Sequence, residues 1–231
     1  MIRAVAWDID GTLIDSEPLH LVALQAVCGR YDVDISDLSD ERFRGVHMFD
    51  VWKELGPRFP ATLSRDSWLA QITDAYVERT GELRFIADAG DVVAGLAAQG
   101  LRQVCVSNSG RRIVDANIAA LGIASLIDFS ISLDDVGAGK PDPEPYAAAC
   151  ARLGLSPVDV MAIEDSQTGA TSAHRAGLFV LGFASDGQRF EGADAVVSAL
   201  REVPPLLSEK QHLSSLAPDG RARAGAINSE V

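Results

Sequence analysis

Cysteine is scarce: the 231 residues contain three, Cys28, Cys105 and Cys150, widely separated. An odd set set in apolar or helical patterns, with no Cys-x-x-Cys pair, argues against a disulfide framework and against zinc. It predicts buried, reduced thiols and a cytoplasmic setting. Positive charge is also short, with 20 Lys and Arg against 33 Asp and Glu and a net charge of -13. Such a surface would repel a polyanion, so no nucleic-acid partner is expected, while small substrates remain open because charge at a site is local. No apolar run approaches the ~20 residues of a membrane-crossing helix, and the first residues read as a strand instead of a basic leader, so no membrane partner is expected. Internal repeats and extended low-complexity runs are lacking as well. Apolar residues, at 47%, are plentiful enough to bury a sizeable core in one α/β domain plus an insertion.

Apolar runs predict strands near residues 3–8, 103–107, 129–132, 160–164, 179–183 and 195–197, separated by helix-like segments. Alternating strands and helices imply a parallel sheet covered on both faces, a doubly wound, Rossmann-like α/β core. Residues 15–84 have a different texture. Ser16 and Pro18 mark a helix start there, Leu19, Val22, Ala23, Ala26 and Val27 recur at helical spacing, and Trp68, Ile72, Ala75 and Tyr76 form another stripe. These stripes read as packing. The expected organisation is a discontinuous core of residues 1–14 and 85–206, a helical cap at 15–84 inserted after the first strand, and a polar Gly/Ala/Arg-rich tail at 207–231.

Polar groups collect where the strands end. The first run leads into Asp8-Ile9-Asp10-Gly11-Thr12-Leu13, and in open parallel sheets ligands gather outside the carboxyl ends of the strands. Side chains at i and i+2 of an extended segment share a side, so two carboxylates repel there, and a divalent cation relieves the repulsion. Hard oxygen ligands favour Mg²⁺, which takes one or two protein carboxylates alongside a phosphate. Taken alone, an Asp-Gly turn beside a second acid gives the same string. A second run ends in Ser107-Asn108-Ser109-Gly110 before a helix carrying Ile113, Ile118 and Leu121. This is an anion cradle built from unpaired backbone N–H groups, or, for Ser107 alone, an ordinary helix cap. Gly137-Ala138-Gly139-Lys140-Pro141-Asp142-Pro143 holds one lysine in a loop stiffened by prolines, where an ammonium suits a phosphate. A fourth run, Val160 to Ile163, enters Glu164-Asp165-Ser166.

Four such motifs in this order resemble the haloacid dehalogenase superfamily, over residues 1 to about 200, in the branch of phosphoglycolate phosphatases and β-phosphoglucomutases. The resemblance implies a phosphatase in which Asp8 is the nucleophile that attacks phosphorus and Asp10 the acid/base. Ser107, Asn108 and Lys140 would hold the phosphoryl group. Asp165, with Glu164 directly or through water, would hold Mg²⁺ together with a carboxylate oxygen of Asp8 and the backbone carbonyl of Asp10. A carboxylate beside a metal ligand can instead only orient it, which keeps both readings of Glu164 open. Dehalogenating members lack the second aspartate, so Asp10 favours phosphoryl chemistry.

In the similar mutases a cap loop reads Lys-Gly-x-x-Arg and its arginine grips a second phosphate. Arg44-Gly45-Val46-His47-Met48 stands here, and Met48 cannot hold a phosphate. This favours a one-way phosphatase of small phosphorylated metabolites, with a sugar-phosphate mutase as the alternative. A non-catalytic phosphate-ligand-binding protein on the same fold is the alternative of another class. Arg44, Gly45 and His47 are assigned to substrate specificity. His20 joins them, as a structural or gating residue ahead of a catalytic one.

Overall fold

The computed structural model describes residues 1–39, 42–43 and 48–216. The order of six parallel strands follows from which of them can be buried on both faces. The core strands are β1 (Ala4–Trp7), β4 (Arg102–Val106), β5 (Phe129–Ile131), β6 (Val160–Glu164), β7 (Phe179–Phe183) and β8 (Ala195–Val197), arranged β5-β4-β1-β6-β7-β8. The most completely apolar strand, β1, lies in the middle, with Trp7 opposite Cys105 on one side and Ile163 on the other. Successive side chains alternate between two cores. Val5, Trp7, Cys105, Met161, Ile163 and Leu181 face one; Ala4, Ala6, Val104, Val106, Ala162 and Val180 face the other.

Helices α4 (Ala89–Ala98), α5 (Arg111–Ala120) and α8 (Val203–Leu216) contribute to the first core, through residues such as Val93, Leu96, Val114 and Leu207. The second is closed by α6 (Glu144–Leu153) and α7 (Gln167–Arg175), through Tyr146, Ala149, Ala170 and Ala173. The sheet is therefore doubly wound, and each core strand lies within about two residues of its sequence expectation. One polar side chain inside, Gln103, is fully satisfied: it accepts from Trp7 Nε1 and donates to the Val93 carbonyl, each at 2.9 Å.

Helices α1 (Glu17–Arg30), α2 (Met48–Leu55) and α3 (Arg65–Val77) occupy the stretch between β1 and β4. The chain leaves and returns through a two-stranded antiparallel ribbon, β2 (Ile14–Asp15) on β3 (Arg84–Phe85), which the apolar pattern does not reveal because each strand is only two residues long. Trp68, Ile72, Ala75 and Tyr76 of α3 are buried, as packing residues should be. Ser16 precedes α1 as expected, but its side chain makes no cap bond. The chain end also departs from expectation, because α8 runs on through Leu216 where a tail was expected from residue 207. Val203 and Leu207, four residues apart, pack on the core, and Gln211 Nε2 donates to the Ile2 carbonyl at 3.2 Å, so polar composition conceals an anchored helix.

Candidate active site

The polar ends of β1, β4 and β6 converge with the Lys140 loop that follows β5. Asp8 continues β1 by one residue, its N–H donating to the Ile163 carbonyl at 3.0 Å. The backbone then doubles back, with the amides of Leu13 and Ile14 both reaching the Ile9 carbonyl. Gly11 makes this turn possible at φ +91°, and a Cβ there would lie 2.0 Å from Asp165 Oδ2. Gly11→Ala is therefore expected to cost about 1–2 kcal/mol for the left-handed backbone alone and to push Asp165 aside. Urea unfolding checks the first effect and metal titration the second; an alanine variant matching the parent in both would remove Gly11 from this role.

Lys140 lies at the centre of the buried charges. Its Nζ donates to Asp8 Oδ1 at 2.6 Å, to Glu164 Oε1 at 2.6 Å and to the Val106 carbonyl at 2.8 Å. Burial works against its charge, but Asp8 and Glu164 outweigh burial and hold the ammonium above the ordinary lysine range. Asn108 brackets the Lys140 backbone, accepting from its N–H at 2.8 Å and donating to its carbonyl at 3.1 Å. The Asn108 side chain, expected at a phosphate, is thus engaged in fixing the lysine loop.

Asp8 is 6% exposed. Burial, then the neighbouring carboxylates of Glu164, Asp165 and Asp10, raise its pKa well above the usual aspartate range, against the pull of Lys140. Asp8 Oδ2 is buried and has no hydrogen-bond partner among the described residues. Asp165 is pushed up to about 7, by burial first and by Glu164 next. Asp8, Glu164 and Asp165 each offer an oxygen, and these oxygens lie within 4.8 Å of one another. An orphaned carboxylate oxygen within a crowded all-oxygen donor set fits a hard divalent cation. Glu164, at the end of β6, is already engaged through Oε1 by Lys140 and by the Tyr146 hydroxyl, with Oε2 3.4 Å from Ser166 Oγ. A Cβ at position 169 would fall 1.8 Å from Oε2, so Gly169 makes room for this carboxylate.

Asp10 is held apart from this cluster. Ser107 Oγ and Ser109 Oγ each donate to its Oδ2 at 3.0 Å, and Asn117 Nδ2 donates to its Oδ1 at 3.2 Å. Ser107 is not a helix cap, since α5 begins at Arg111 after Gly110. Its hydroxyl instead accepts from the Ser109 N–H and donates to Asp10. His20, on α1, packs against Tyr76 with ring centroids 4.5 Å apart and the planes tilted by 32°, and its Nδ1 is buried without a partner among the described residues. Arg44, Gly45 and His47 lie outside the described residues.

Sequence reasoning missed Ser109, Asn117 and Tyr146 at the site. Asn117 and Tyr146 left a faint signal, as polar side chains on the buried faces of α5 and α6.

A phosphoglycolate phosphatase of Cupriavidus necator is 30% identical to this chain, over 89% of it and 93% of that protein. A β-phosphoglucomutase of Bacillus subtilis is 25% identical, over 91% and 94%. Among solved structures, CbbY from Rhodobacter sphaeroides in complex with phosphate superposes with a TM-score of 0.76 at 26% identity, covering 88% of this chain and 96% of that one. The model of the haloacid dehalogenase-like hydrolases matches residues 2–177; with a doubly wound core and paired aspartates at the end of its central strand, this chain belongs to that family.

Proposed function

We propose that this hydrolase is a Mg²⁺-dependent phosphatase of small phosphorylated metabolites that works through an aspartyl-phosphate on Asp8. The observation that carries this reading is the division of labour between two nearby aspartates. Asp8 is buried, with one oxygen on Lys140 and the other without a hydrogen-bond partner among the described residues, whereas Asp10 is fixed by three neutral donors.

An Asp8 carboxylate oxygen forms a bond to phosphorus while the bond from phosphorus to the substrate oxygen breaks. Asp10 gives that leaving oxygen its proton. In the second half, Asp10 takes a proton from water, the water oxygen bonds to phosphorus, and the bond to Asp8 breaks, returning the carboxylate and releasing inorganic phosphate. Splitting one displacement into two is the gain from a covalent intermediate. Lys140 offsets negative charge as an anionic nucleophile meets a phosphate. Ser107 and backbone N–H groups before α5 supply further contacts to phosphoryl oxygens. Asp8 and Asp165, with the Asp10 carbonyl, would hold Mg²⁺, and Glu164, already bonded to Lys140 and Tyr146, would orient them. When bound, the dication supplies positive charge against the phosphoryl oxygens. Helices α1 to α3 serve as a cap, excluding stray water and choosing the leaving group.

Protons and the dication compete for the same carboxylates. A carboxyl whose folded pKa is raised stabilises the metal-free fold when protonated, so that stability is lost as pH rises through about 7 for Asp165. Mg²⁺ binds the ionised form and is expected to raise Tm more at pH 8 than at pH 6. Equal shifts at both pH values would detach the metal from Asp165.

The deciding experiment is phosphate release from a panel of phosphorylated metabolites with and without Mg²⁺, with β-glucose 1-phosphate also followed for isomerisation to the 6-phosphate. Mg²⁺-dependent release supports the phosphatase and names its substrate class. Isomerisation installs the mutase instead, and silence throughout favours a phosphate-ligand-binding protein.

A further inference from the structure

We infer that Tyr76 and Asn117 are positioning residues for the Asp10 carboxylate, joined in a hydrogen-bonded chain that runs from the inserted helices to the acid. This rests on the reading of Asp10 as the acid/base. The Tyr76 hydroxyl, on α3, donates to Asn117 Oδ1, on α5, at 2.9 Å, and Asn117 Nδ2 donates onward to Asp10 Oδ1 at 3.2 Å.

The order of donors is dictated by chemistry. An ionised carboxylate only accepts, so the amide must turn its NH₂ to Asp10, and its oxygen then faces Tyr76, which must donate. Burial first, and the charge of Asp10 next, raise the Tyr76 pKa, keeping that proton in place. The Ser107 and Ser109 hydroxyls can rotate as Asp10 gains and loses its proton. A planar amide bonded at both ends cannot, so it fixes where the carboxyl points.

Two further observations separate this from ordinary packing. Asn117 is fully buried on the apolar side of α5, between Val114 and Ile118, where an apolar residue would fill the same space without needing partners. Its amide bonds lead to Tyr76 and Asp10. Tyr76 is itself held, with the His20 ring packed against its ring at 4.5 Å between centroids. The bond between Tyr76 and Asn117 also spans the two parts of the chain, so the aim of Asp10 depends on how α3 sits against α5.

The test separates proton donation from general damage by varying the leaving group. p-Nitrophenolate departs without a proton, whereas phenolate gains from one. The parent, Tyr76→Phe, Asn117→Ala and Asp10→Asn are assayed with Mg²⁺ for kcat/KM on phenyl phosphate and p-nitrophenyl phosphate. Tyr76→Phe and Asn117→Ala are expected to lose about tenfold more on the phenyl ester than on the nitrophenyl ester, a fraction of the general-acid contribution. Asp10→Asn should show the larger version of the same imbalance. Equal losses on both esters, or none, in Tyr76→Phe would overturn the inference while Asp10→Asn still discriminates. Tyr76→Phe keeps the ring and decides the matter even where Asn117→Ala does not fold. If Asp10→Asn itself loses both esters equally, or the parent hydrolyses neither, the acid/base reading fails instead.

Discussion

Asp8→Asn is expected to lower Mg²⁺-dependent phosphate release by on the order of 10⁴-fold or more, the scale seen when a covalent nucleophile is removed. Asparagine has almost the same volume, and its amide oxygen can still accept from Lys140, so the surroundings need not shift. What disappears is the anionic oxygen that bonds to phosphorus, and an amide is a poor substitute. The fold should not suffer. Asp8 carries a carboxyl whose pKa burial and three neighbouring carboxylates push upward; replacing it with a neutral group relieves that repulsion. Metal-free Tm at pH 8 should match or exceed that of the parent, and inorganic phosphate should still bind. Phosphate release, thermal unfolding and calorimetry with inorganic phosphate together check the prediction. Turnover within tenfold of the parent would place the nucleophile elsewhere.

The sequence makes strand ends easier to read than the side chains that serve them. β1, β4 and β6 are largely apolar runs buried on both faces, so their limits are marked by an abrupt change of composition, to Asp8 and Ser107 just beyond β1 and β4 and to Glu164 at the last position of β6. Asn117 and Tyr146 escape because they lie inside helices, on faces otherwise filled by Val114, Ile118, Ala149 and Leu153, and periodicity counts them as packing. The partners of Asn108 were invisible for a different reason. Its neighbour in space, Lys140, is 32 positions away, and only the converging strand ends bring the two together. Local texture also misplaced the end of the core. The residues after Leu207 look polar and read as a tail, yet α8 continues through Leu216, anchored by Val203 and Leu207 one turn apart.

Lys140→Met is expected to destabilise the metal-free protein by about 3–5 kcal/mol at pH 8, the cost of stripping one partner from a buried ion pair. Asp8, Glu164 and the Val106 carbonyl all lose their shared donor, and the Lys140 side chain is 4% exposed, so little water is available to replace it. Tyr146 still donates to Glu164, but among the described residues no cation then offsets the charge of Asp8 beside Glu164 and Asp165. The pH dependence follows from the same contacts. Lys140 lowers the Asp8 pKa, so its removal raises that value further. A carboxyl with a raised folded pKa weakens the fold above that pKa and regains stability as pH falls through it. The loss should therefore shrink between pH 8 and pH 5, and Mg²⁺ should restore more stability to the variant than to the parent, because the dication replaces part of the missing charge. Turnover should fall by about 10²–10³-fold even with saturating Mg²⁺, since a fixed positive group facing the developing charge is gone. Urea unfolding at three pH values, with and without Mg²⁺, checks the stability, and phosphate release checks the activity. A variant as stable as the parent at pH 8 would mean that the Lys140 contacts to Asp8, Glu164 and the Val106 carbonyl do not carry the stability assigned to them, and the electrostatic account of this site would fail.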